Sequence, residues 1–356
     1  MDLEKHLGQL SEAPGLSGYE GPIREIVRGA WEELADELTT DALGNLLATR
    51  TGTDSEPRRR ILVTAHMDEI GLMVTQIEGS FLRVTKVGGI DRRVLLSQPV
   101  IVHGEKPLPG LIGSRPPHVL PASERKKYPK MDDLVVDTGL SARRLEKLVP
   151  IGAPVTFDQP AVSLGNGLLS GKAMDNRASV AALTALLEEL QGISHRWDVL
   201  VAATVQEEVT LGGGETIAWR TQPDIAIVVD TTWAVGTGVN EEKGFKLGEG
   251  PSLVIGPNAH PKLFDMLRKT AERLEIKVHP EPMPRHSGTE AWAIQVSRDG
   301  VPTAIFGIPI RNMHTPVEIV SLKDIRRVAR LIAGFISGLD DGTLSKLSLD
   351  EGESKR

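Results

Sequence analysis

Apolar residues recur along the chain with two different spacings, and these spacings divide it into segments. In SGYEGPIREIVRGAWEELADEL they fall on one helical face, at Ile23, Ile26, Val27, Trp31, Leu34 and Leu38. Uninterrupted apolar runs of strand length occur in RRRILVTAH, DVLVAATVQ and DIAIVVD. Helical patterns cover NRASVAALTALLEELQG, PKLFDMLRKTAERLE and SLKDIRRVARLIAGFISGL. Because strands and helices alternate, the sequence predicts an α/β domain whose sheet is mainly parallel and covered on both faces.

Residues 75–165 have a different pattern. Short segments such as FLRVTKVGG, QPVIVHG and DDLVVDTG alternate apolar and polar positions and are separated by Gly and Pro. This pattern is typical of a small β barrel or sandwich. We therefore predict an α/β domain formed by residues 1–74 and 166–340, split by an all-β insertion at 75–165. Residues 341–356 are polar and are predicted to form a disordered tail.

Composition narrows the classes of partner and of site. Lys and Arg total 41 against 48 Asp and Glu, a net charge of -7 that argues against nucleic acid as the main partner. The absence of cysteine excludes disulfides and thiolate-bound metals, so any metal must be held by His, Asp and Glu. The start of the chain lacks the apolar core of a signal peptide, and no segment is apolar enough for a membrane helix. We expect a cytoplasmic protein with no membrane partner.

Acidic and imidazole side chains follow the ends of the predicted α/β strands, and Asp175 precedes a predicted helix. In an open parallel sheet the carboxyl ends of the strands lie along one edge, so these side chains are expected to meet there. Singly, each has an ordinary explanation as a helix cap or a surface group. Together they would repel one another without cations, so they predict a divalent metal site. They are His66, Asp68, Asp175, Glu207, Glu208, Asp230 and His314.

The pattern suits a site with two metal ions. Carboxylates with imidazole favour zinc, cobalt or manganese, and two such ions can bind a carbonyl oxygen and activate a water. If Glu207 and Glu208 lie in an extended segment, their side chains diverge, so one can bind metal and the other can act as a base. Asp68 lies two positions after His66 on the same strand face and can orient its imidazole. Glu69 faces away, with no predicted role beyond local packing or solvent contact.

Other catalytic motifs are absent. GKAMDNRAS contains a Gly-Lys pair without the spacing of a phosphate-binding loop, and no G-x-S-x-G marks a serine hydrolase.

Several long segments resemble the M42 family of dinuclear metallo-aminopeptidases. They include APGLSGYEGPIREIV, TAHMDEIGLMV, SGKAMDNRASVAALTALL, TVQEEVTLGGGE and SGTEAWAIQVSRDGVPTAIFGIPIRNMHTPVEIVSLKD, and the similarity runs from about residue 13 to 325. The resemblance implies a phosphorylase/hydrolase-like, three-layer α/β/α metallopeptidase domain with an inserted small β-barrel dimerisation domain. It also implies a homo-oligomer built from dimers, commonly a hollow dodecamer, and two divalent ions per subunit, with zinc or cobalt ahead of manganese.

The resemblance also implies a role for each matching residue. In this family pattern Asp175 bridges the two metals, His66 and Asp230 complete one site, Glu208 and His314 complete the other, Glu207 is the general base, and Asp68 supports His66. The expected function is an aminopeptidase that removes N-terminal residues from short peptides by attack of a metal-bridging hydroxide. The alternatives are a metal-dependent acyl-amino-acid deacylase or carboxypeptidase-like hydrolase, a metal-independent glycosidase, and a catalytically silent assembly or binding protein of the same fold.

The sequence departs from the family pattern at Asn176, Thr210, Glu290 and Asn312, and has Trp233 where an acidic residue is more usual nearby. These departures surround the predicted pocket, so they bear on substrate preference and rate, and they leave the ligands intact.

Five residues are predicted to contact substrate: Arg285, His286, Thr289, Arg311 and His118. Arg285 and Arg311 are placed to favour acidic N-terminal residues through bidentate pairing. His118 is expected to point toward the site of a neighbouring subunit.

Overall fold

The computed structural model describes residues 1–123 and 125–349. Its first part, which precedes the barrel, begins the α/β domain. The elements of this part are α1 (Leu3–Glu12), α2 (Gly21–Trp31), β1 (Glu37–Thr40), β2 (Leu46–Arg50) and β3 (Arg60–His66). The barrel segment follows, with β4 (Gly71–Glu78), β5 (Phe81–Val87), β6 (Pro99–His103), β7 (Pro107–Ser114), β8 (Leu134–Asp137), α3 (Ala142–Leu148) and β9 (Pro154–Phe157).

The chain then returns to the α/β domain. Its strands are β10 (Val162–Leu164), β11 (Leu168–Gly171), β12 (Asp198–Thr204), β13 (Ile225–Trp233), β14 (Ser252–Ile255), β15 (His279–Pro282), β16 (Thr303–Arg311) and β17 (Glu318–Ser321). Its helices are α4 (Met174–Leu190), α5 (Glu207–Thr210), α6 (Gly212–Thr221), α7 (Pro261–Arg273), α8 (Ala291–Gln295), α9 (Leu322–Ile336) and α10 (Thr343–Leu347). No helix in the described part of the chain combines the length and apolar character that crossing a bilayer requires.

The large sheet is mixed, with the order β1-β2-β12-β3-β13-β16-β17-β11-β10, and β14 links β15 to β16. Its central strands β12, β3, β13 and β16 are parallel, whereas the pairings toward both ends of this order are antiparallel. The predicted, mainly parallel sheet is therefore correct for the centre and wrong for the edges. A parallel pair requires a long crossover connection, whereas strands joined by a short turn, such as β16 and β17, pair antiparallel.

Helices cover both faces of this sheet, which confirms the predicted three layers. Along β3, Ile61, Val63 and Ala65 pack in the core that includes α1, α2, α4, α7 and α9. Leu62 points the other way and packs in the core that includes α6 and α8. Because both faces of β3 are buried, the strand is a continuous apolar run, as the sequence indicated.

The inserted segment forms a closed antiparallel barrel with the strand order β4-β5-β8-β7-β6-β9 and a core of its own. Its first strand begins at Gly71, so the predicted boundary after Val74 falls within β4. The segment is also not all-β, because α3 contributes the buried Leu145 to the barrel core. The hydrophobic pattern of the sequence does not mark where the sheet ends and the barrel begins. The predicted boundary is therefore too late, because β4 already starts at Gly71.

The predicted disordered tail contains the short helix α10. Thr343 and Leu347 are buried, and Leu347 packs in the main core. The prediction of disorder is therefore wrong for this part, because Leu344 and Leu347 hold the helical turn against the core. Residues 350–356 of the predicted tail lie outside the described residues.

Candidate active site

A cavity of about 450 Å³ opens at the carboxyl edge of the central parallel strands. Strand β3 ends at His66, which is in register with Thr204 at the end of β12. Asp230 lies within β13, which pairs in parallel with β3. The cavity is lined by six of the seven residues that strand-end reasoning selected: His66, Asp175, Glu207, Glu208, Asp230 and His314.

Two groups of potential metal ligands lie side by side in this cavity, and they share Asp175. In the first group, His66 Nε2 lies 3.5 Å from Asp175 Oδ1 and 3.8 Å from Asp230 Oδ1. In the second group, His314 Nε2 lies 3.5 Å from Asp175 Oδ2 and 3.7 Å from Glu208 Oε1. Within each group the ligand atoms all lie within 4.8 Å of one another. The two oxygens of Asp175 thus face different groups, as a bridging carboxylate requires.

Asp68 supports both His66 and the glutamate pair. It is fully buried, with Oδ1 3.3 Å from His66 Nδ1. Its two oxygens also accept hydrogen bonds from the backbone N–H groups of Glu207 and Glu208, at 3.0 and 3.1 Å. One carboxylate therefore stands beside the imidazole and fixes the turn that presents the two glutamates.

The local conformation of the glutamate pair differs from the prediction. Gln206 adopts a left-handed conformation, with φ of 58°, and Glu207 begins the short helix α5. The expectation of an extended segment is wrong, because β12 ends at Thr204 and the left-handed Gln206 turns the chain into α5. Both carboxylates line the same cavity.

Asp175 is also not the helix cap that its position permits. A cap would accept a hydrogen bond from a backbone N–H of the following turn, but among the described residues the two Asp175 oxygens face the imidazoles of His66 and His314 and accept no backbone hydrogen bond. Asp175 and Asn176 both have non-helical backbone angles at the start of α4. The Asp175 backbone N–H donates to Glu318 Oε2 at 3.0 Å, and Glu318 Oε1 accepts from the His314 backbone N–H. Glu318 is buried and was missed in the sequence, although it stands four positions after His314 in HTPVE.

The barrel segment supplies a partner for His314. His314 Nδ1 lies 3.0 Å from the carbonyl oxygen of Gly89, in the loop after β5. A carbonyl oxygen can only accept, so Nδ1 carries the proton and Nε2 is left with a lone pair for a metal.

Electrostatics in the cavity are those of an acidic cluster short of positive charge. Burial, with repulsion from neighbouring carboxylates, raises the pKa of Glu207 to about 9 and that of Asp230 to about 7. The pKa of Glu208 is raised well above its usual value for the same reasons. The pKa of His66 is also raised, because nearby carboxylates outweigh its burial. Without metal, these groups must take up protons to limit their repulsion.

The donor set fits divalent metal ions. Each group offers imidazole nitrogen and carboxylate oxygen, a combination that suits zinc, cobalt and manganese. Glu208 Oε1 is buried and has no hydrogen-bond partner among the described residues, and such an atom costs free energy unless something binds it. Glu207 belongs to neither ligand group, and its Oε2 lies 3.8 Å from His66 Nε2.

Of the five residues predicted to contact substrate, Thr289 alone lines the cavity. His118, Arg285 and His286 are exposed and lie outside the lining. Arg311 is half-buried and its Nε donates to a backbone carbonyl at 2.7 Å. The structure thus does not bring these four side chains to the cavity, and their roles stay predictions.

The four departures from the family pattern also lie off the cavity lining. Asn176 is buried and donates to a backbone carbonyl, Glu290 is fully buried, and Thr210 and Asn312 are exposed. Trp233, by contrast, is half-exposed and lines the cavity. The departure that touches the cavity surface is therefore the one at Trp233.

Glu69 has a role that the sequence did not reveal. It is buried, its Oε2 lies 2.7 Å from Lys172 Nζ, and its Oε1 lies 4.0 Å from Arg177 Nη2. Its Oε1 also accepts a hydrogen bond from the Gly15 backbone at 2.9 Å. The prediction of local packing or solvent contact is wrong, because the balancing cations come from a segment about a hundred positions away.

Comparison with known proteins agrees with this geometry. The sequence model of the M42 glutamyl aminopeptidase family matches residues 44–331. A lysyl aminopeptidase of Pyrococcus furiosus is 34% identical over 93% of this chain and 96% of its own. A TET aminopeptidase from a thaumarchaeon superposes with a TM-score of 0.92 at 33% identity, covering 97% of this chain and 99% of that one.

A further solved structure, described as a TET1 dodecamer, superposes with a TM-score of 0.83 at 31% identity, covering 95% of this chain and 100% of that one. The matched residues span both parts of the α/β domain and the barrel between them. The chain belongs to the M42 family of aminopeptidases, and it is a peptide hydrolase.

Proposed function

We propose that the protein is a dinuclear metal-dependent aminopeptidase that removes N-terminal residues from short peptides. The observation that carries this proposal is the pair of ligand groups that share Asp175, with Glu207 beside them and outside both. His66 and Asp230 would complete one metal site, and Glu208 and His314 would complete the other.

Two bound divalent ions would polarise the scissile carbonyl and lower the pKa of a coordinated water. The residues of the chain would orient the side chains that hold these ions and would move protons. Asp68 and the Gly89 carbonyl hold the Nδ1 sides of the two imidazoles, so that each Nε2 faces the cavity. Glu318 fixes the backbone on which Asp175 and His314 are carried.

Glu207 is assigned as the general base. Its carboxylate lines the cavity, and without metal its burial and the neighbouring carboxylates raise its pKa to about 9. With cations present the charged form is favoured, and Glu207 Oε2 can take a proton from the attacking water. The same oxygen can then return the proton to the amine that leaves.

The decisive experiment combines a panel of aminoacyl chromogenic substrates with control of the metal. Wild-type protein should lose activity with a chelator and regain it with zinc, cobalt or manganese. Glu207→Gln should retain both metals, measured by elemental analysis, and lose about 10²- to 10⁴-fold in kcat. Glu215→Gln, an exposed glutamate on α6, is the matched control and should behave like wild type.

Each alternative function predicts a different outcome of this experiment. Activity that survives chelation indicates a metal-independent hydrolase. Cleavage of N-acyl amino acids without cleavage of aminoacyl substrates indicates a deacylase. Protein that binds no metal and cleaves none of these substrates is the catalytically silent assembly protein. If Glu207→Gln stays active, the assignment of the base is wrong.

We also propose that the protein is a homo-oligomer that uses its barrel for dimerisation. The structural neighbour described as a dodecamer supports assembly of this fold, with the dimer and the dodecamer as the two candidate states. Light scattering on the purified chain distinguishes a monomer, a dimer and a dodecamer by mass. Location in the cytoplasm stays a prediction.

A further inference from the structure

We propose that Glu281 selects substrates whose N-terminal residue has a cationic side chain, lysine or arginine. This inference rests on the proposed function, because it names the substrate class of the same cavity. It is opposite in sign to the acidic preference predicted from Arg285 and Arg311, neither of which lines the cavity.

Glu281 is a carboxylate of the cavity wall that takes no part in the two ligand groups. It lies on β15, whose backbone pairs with β14, and its side chain is half-buried. Thr232 Oγ1 donates to its Oε1 at 2.6 Å, and Ser252 Oγ donates to its Oε2 at 2.5 Å. Both hydroxyls belong to buried residues, so they hold the carboxylate in one orientation.

These hydroxyls orient Glu281 without neutralising it. Each carboxylate oxygen has a second acceptor position, so the group can still accept from a cation. Lys277, the nearest lysine along the chain, contacts Glu249, and Lys246 contacts Glu241. No ion pair formed by the described residues includes Glu281, and no lysine or arginine lines the cavity.

The remaining acidic residues of the cavity are accounted for by the proposed metal centre. Asp175, Glu207, Glu208 and Asp230 would face the two divalent ions, which supply four positive charges. Glu281 then remains as a negative charge without a partner in the cavity. A cation carried by the substrate is the group that compensates it.

The rest of the wall suits the long aliphatic part of such a side chain. Trp233, Met283 and Met313 line the same cavity. Lysine and arginine bury their methylene groups on apolar surface while the charged end reaches a polar partner. Trp233 also presents an aromatic ring, which attracts a cation placed over its face.

The experiment uses the metal-loaded enzyme and two substrates with the same methylene chain, the p-nitroanilides of lysine and norleucine. Wild type should cleave the lysine substrate with a kcat/KM about 10- to 100-fold higher, the effect of one hydrogen bond to a charged partner. Glu281→Gln should remove most of this ratio, because it lowers cleavage of the lysine substrate far more than cleavage of the norleucine substrate. Glu249→Gln, at a half-buried glutamate paired with Lys277 and outside the cavity lining, is the matched control and should keep the wild-type ratio.

Two results would overturn the proposal. The first is equal kcat/KM for the lysine and norleucine substrates in wild type, which needs no variant to observe. The second is an equal loss of kcat/KM for both substrates in Glu281→Gln, which would place Glu281 against the α-amine or in the support of β13 and β14. If wild type cleaves neither substrate with any metal, the proposed function fails, and that result is distinct from cleavage without a preference.

Discussion

Two clusters of buried charge flank the end of β3, and they are built in opposite ways. The cavity cluster contains Asp175, Glu207, Glu208 and Asp230 around His66, and protons must offset its charge when metal is absent. The ion-pair cluster consists of Glu69, Lys172 and Arg177 and carries its own cations. Asp68 lies beside His66 of the cavity cluster, and the adjacent Glu69 belongs to the ion-pair cluster.

The difference shows how to tell a ligand site from a structural ion pair. A buried carboxylate that the chain itself compensates has its charge satisfied by folding. A buried carboxylate that the chain leaves uncompensated needs a cation or a proton from outside. The cavity cluster should therefore respond to metal and the ion-pair cluster should not. Four predictions test this contrast, beginning with the largest expected effect.

Removal of metal should abolish activity while leaving the fold intact. Divalent ions stabilise the transition state by several kcal/mol, so dialysis against a chelator should lower kcat/KM by about 10³-fold or more. The melting temperature should also fall, because ligands that bind the folded state stabilise it. Circular dichroism of the metal-free protein should remain that of the folded chain. Unfolding on chelation would show that the cavity cluster is a structural element as well.

Lys172→Met should destabilise the fold without affecting metal content per folded chain. The substitution leaves Glu69 buried beside Arg177 alone, and breaking a buried pair in this way costs about 3–5 kcal/mol. Chemical denaturation measures the free energy of unfolding. If the single variant is as stable as wild type, the ion-pair cluster does not compensate Glu69 as described.

Asp68→Asn should lower the metal affinity of the cavity cluster. The amide cannot orient His66 as a carboxylate does, and loss of such an outer partner typically costs 10- to 100-fold in metal affinity or activity. Competition with a chromogenic chelator measures the affinity. Asp36→Asn, which alters a carboxylate paired with Arg50 on the surface, is the control. An unchanged metal affinity in Asp68→Asn would separate Asp68 from the metal centre.

His6 provides the smallest test, because it is an imidazole buried away from both clusters. Burial lowers its pKa from 6.5 to about 4, and its Nε2 lies 3.1 Å from Thr184 Oγ1. The unfolded chain therefore binds more protons between these values, so this contribution to stability is lost as the pH falls below about 6.5. Relative to His6→Gln, wild type should lose roughly 1.4 kcal/mol between pH 7.5 and 5.5. Equal losses in both proteins would contradict the lowered pKa of His6.

The members of the two ligand groups could be predicted because each of them lies near the end of a strand or the start of a helix that the sequence pattern indicates. His66 and Asp230 belong to parallel strands, whose carboxyl ends must share an edge. Glu318 and Glu281 escaped detection because they lie on short strands outside the central parallel set, and the His-Pro-Glu-Pro of β15 has no apolar alternation. Strand-end reasoning has no means of placing such residues.

Long-range pairing explains the other omissions. Nothing near Glu69 in the sequence indicates Lys172, because their contact exists only after β3 and β11 enter one sheet. The left-handed Gln206, which turns Glu207 and Glu208 into a helix, is likewise imposed by the fold and not by a glycine. Patterns in sequence identify which side chains carry chemistry better than they identify what supports them.

The hydrogen bond from His314 Nδ1 to the Gly89 carbonyl makes the active site a composite of two folding units. His314 comes from the α/β domain, and the oxygen that sets its tautomer comes from the loop of the inserted barrel. Excising the barrel and rejoining the chain would remove the acceptor that sets the tautomer of His314. A shift of the barrel relative to the sheet therefore has a direct mechanical route, through the Gly89 carbonyl, to an imidazole of the cavity.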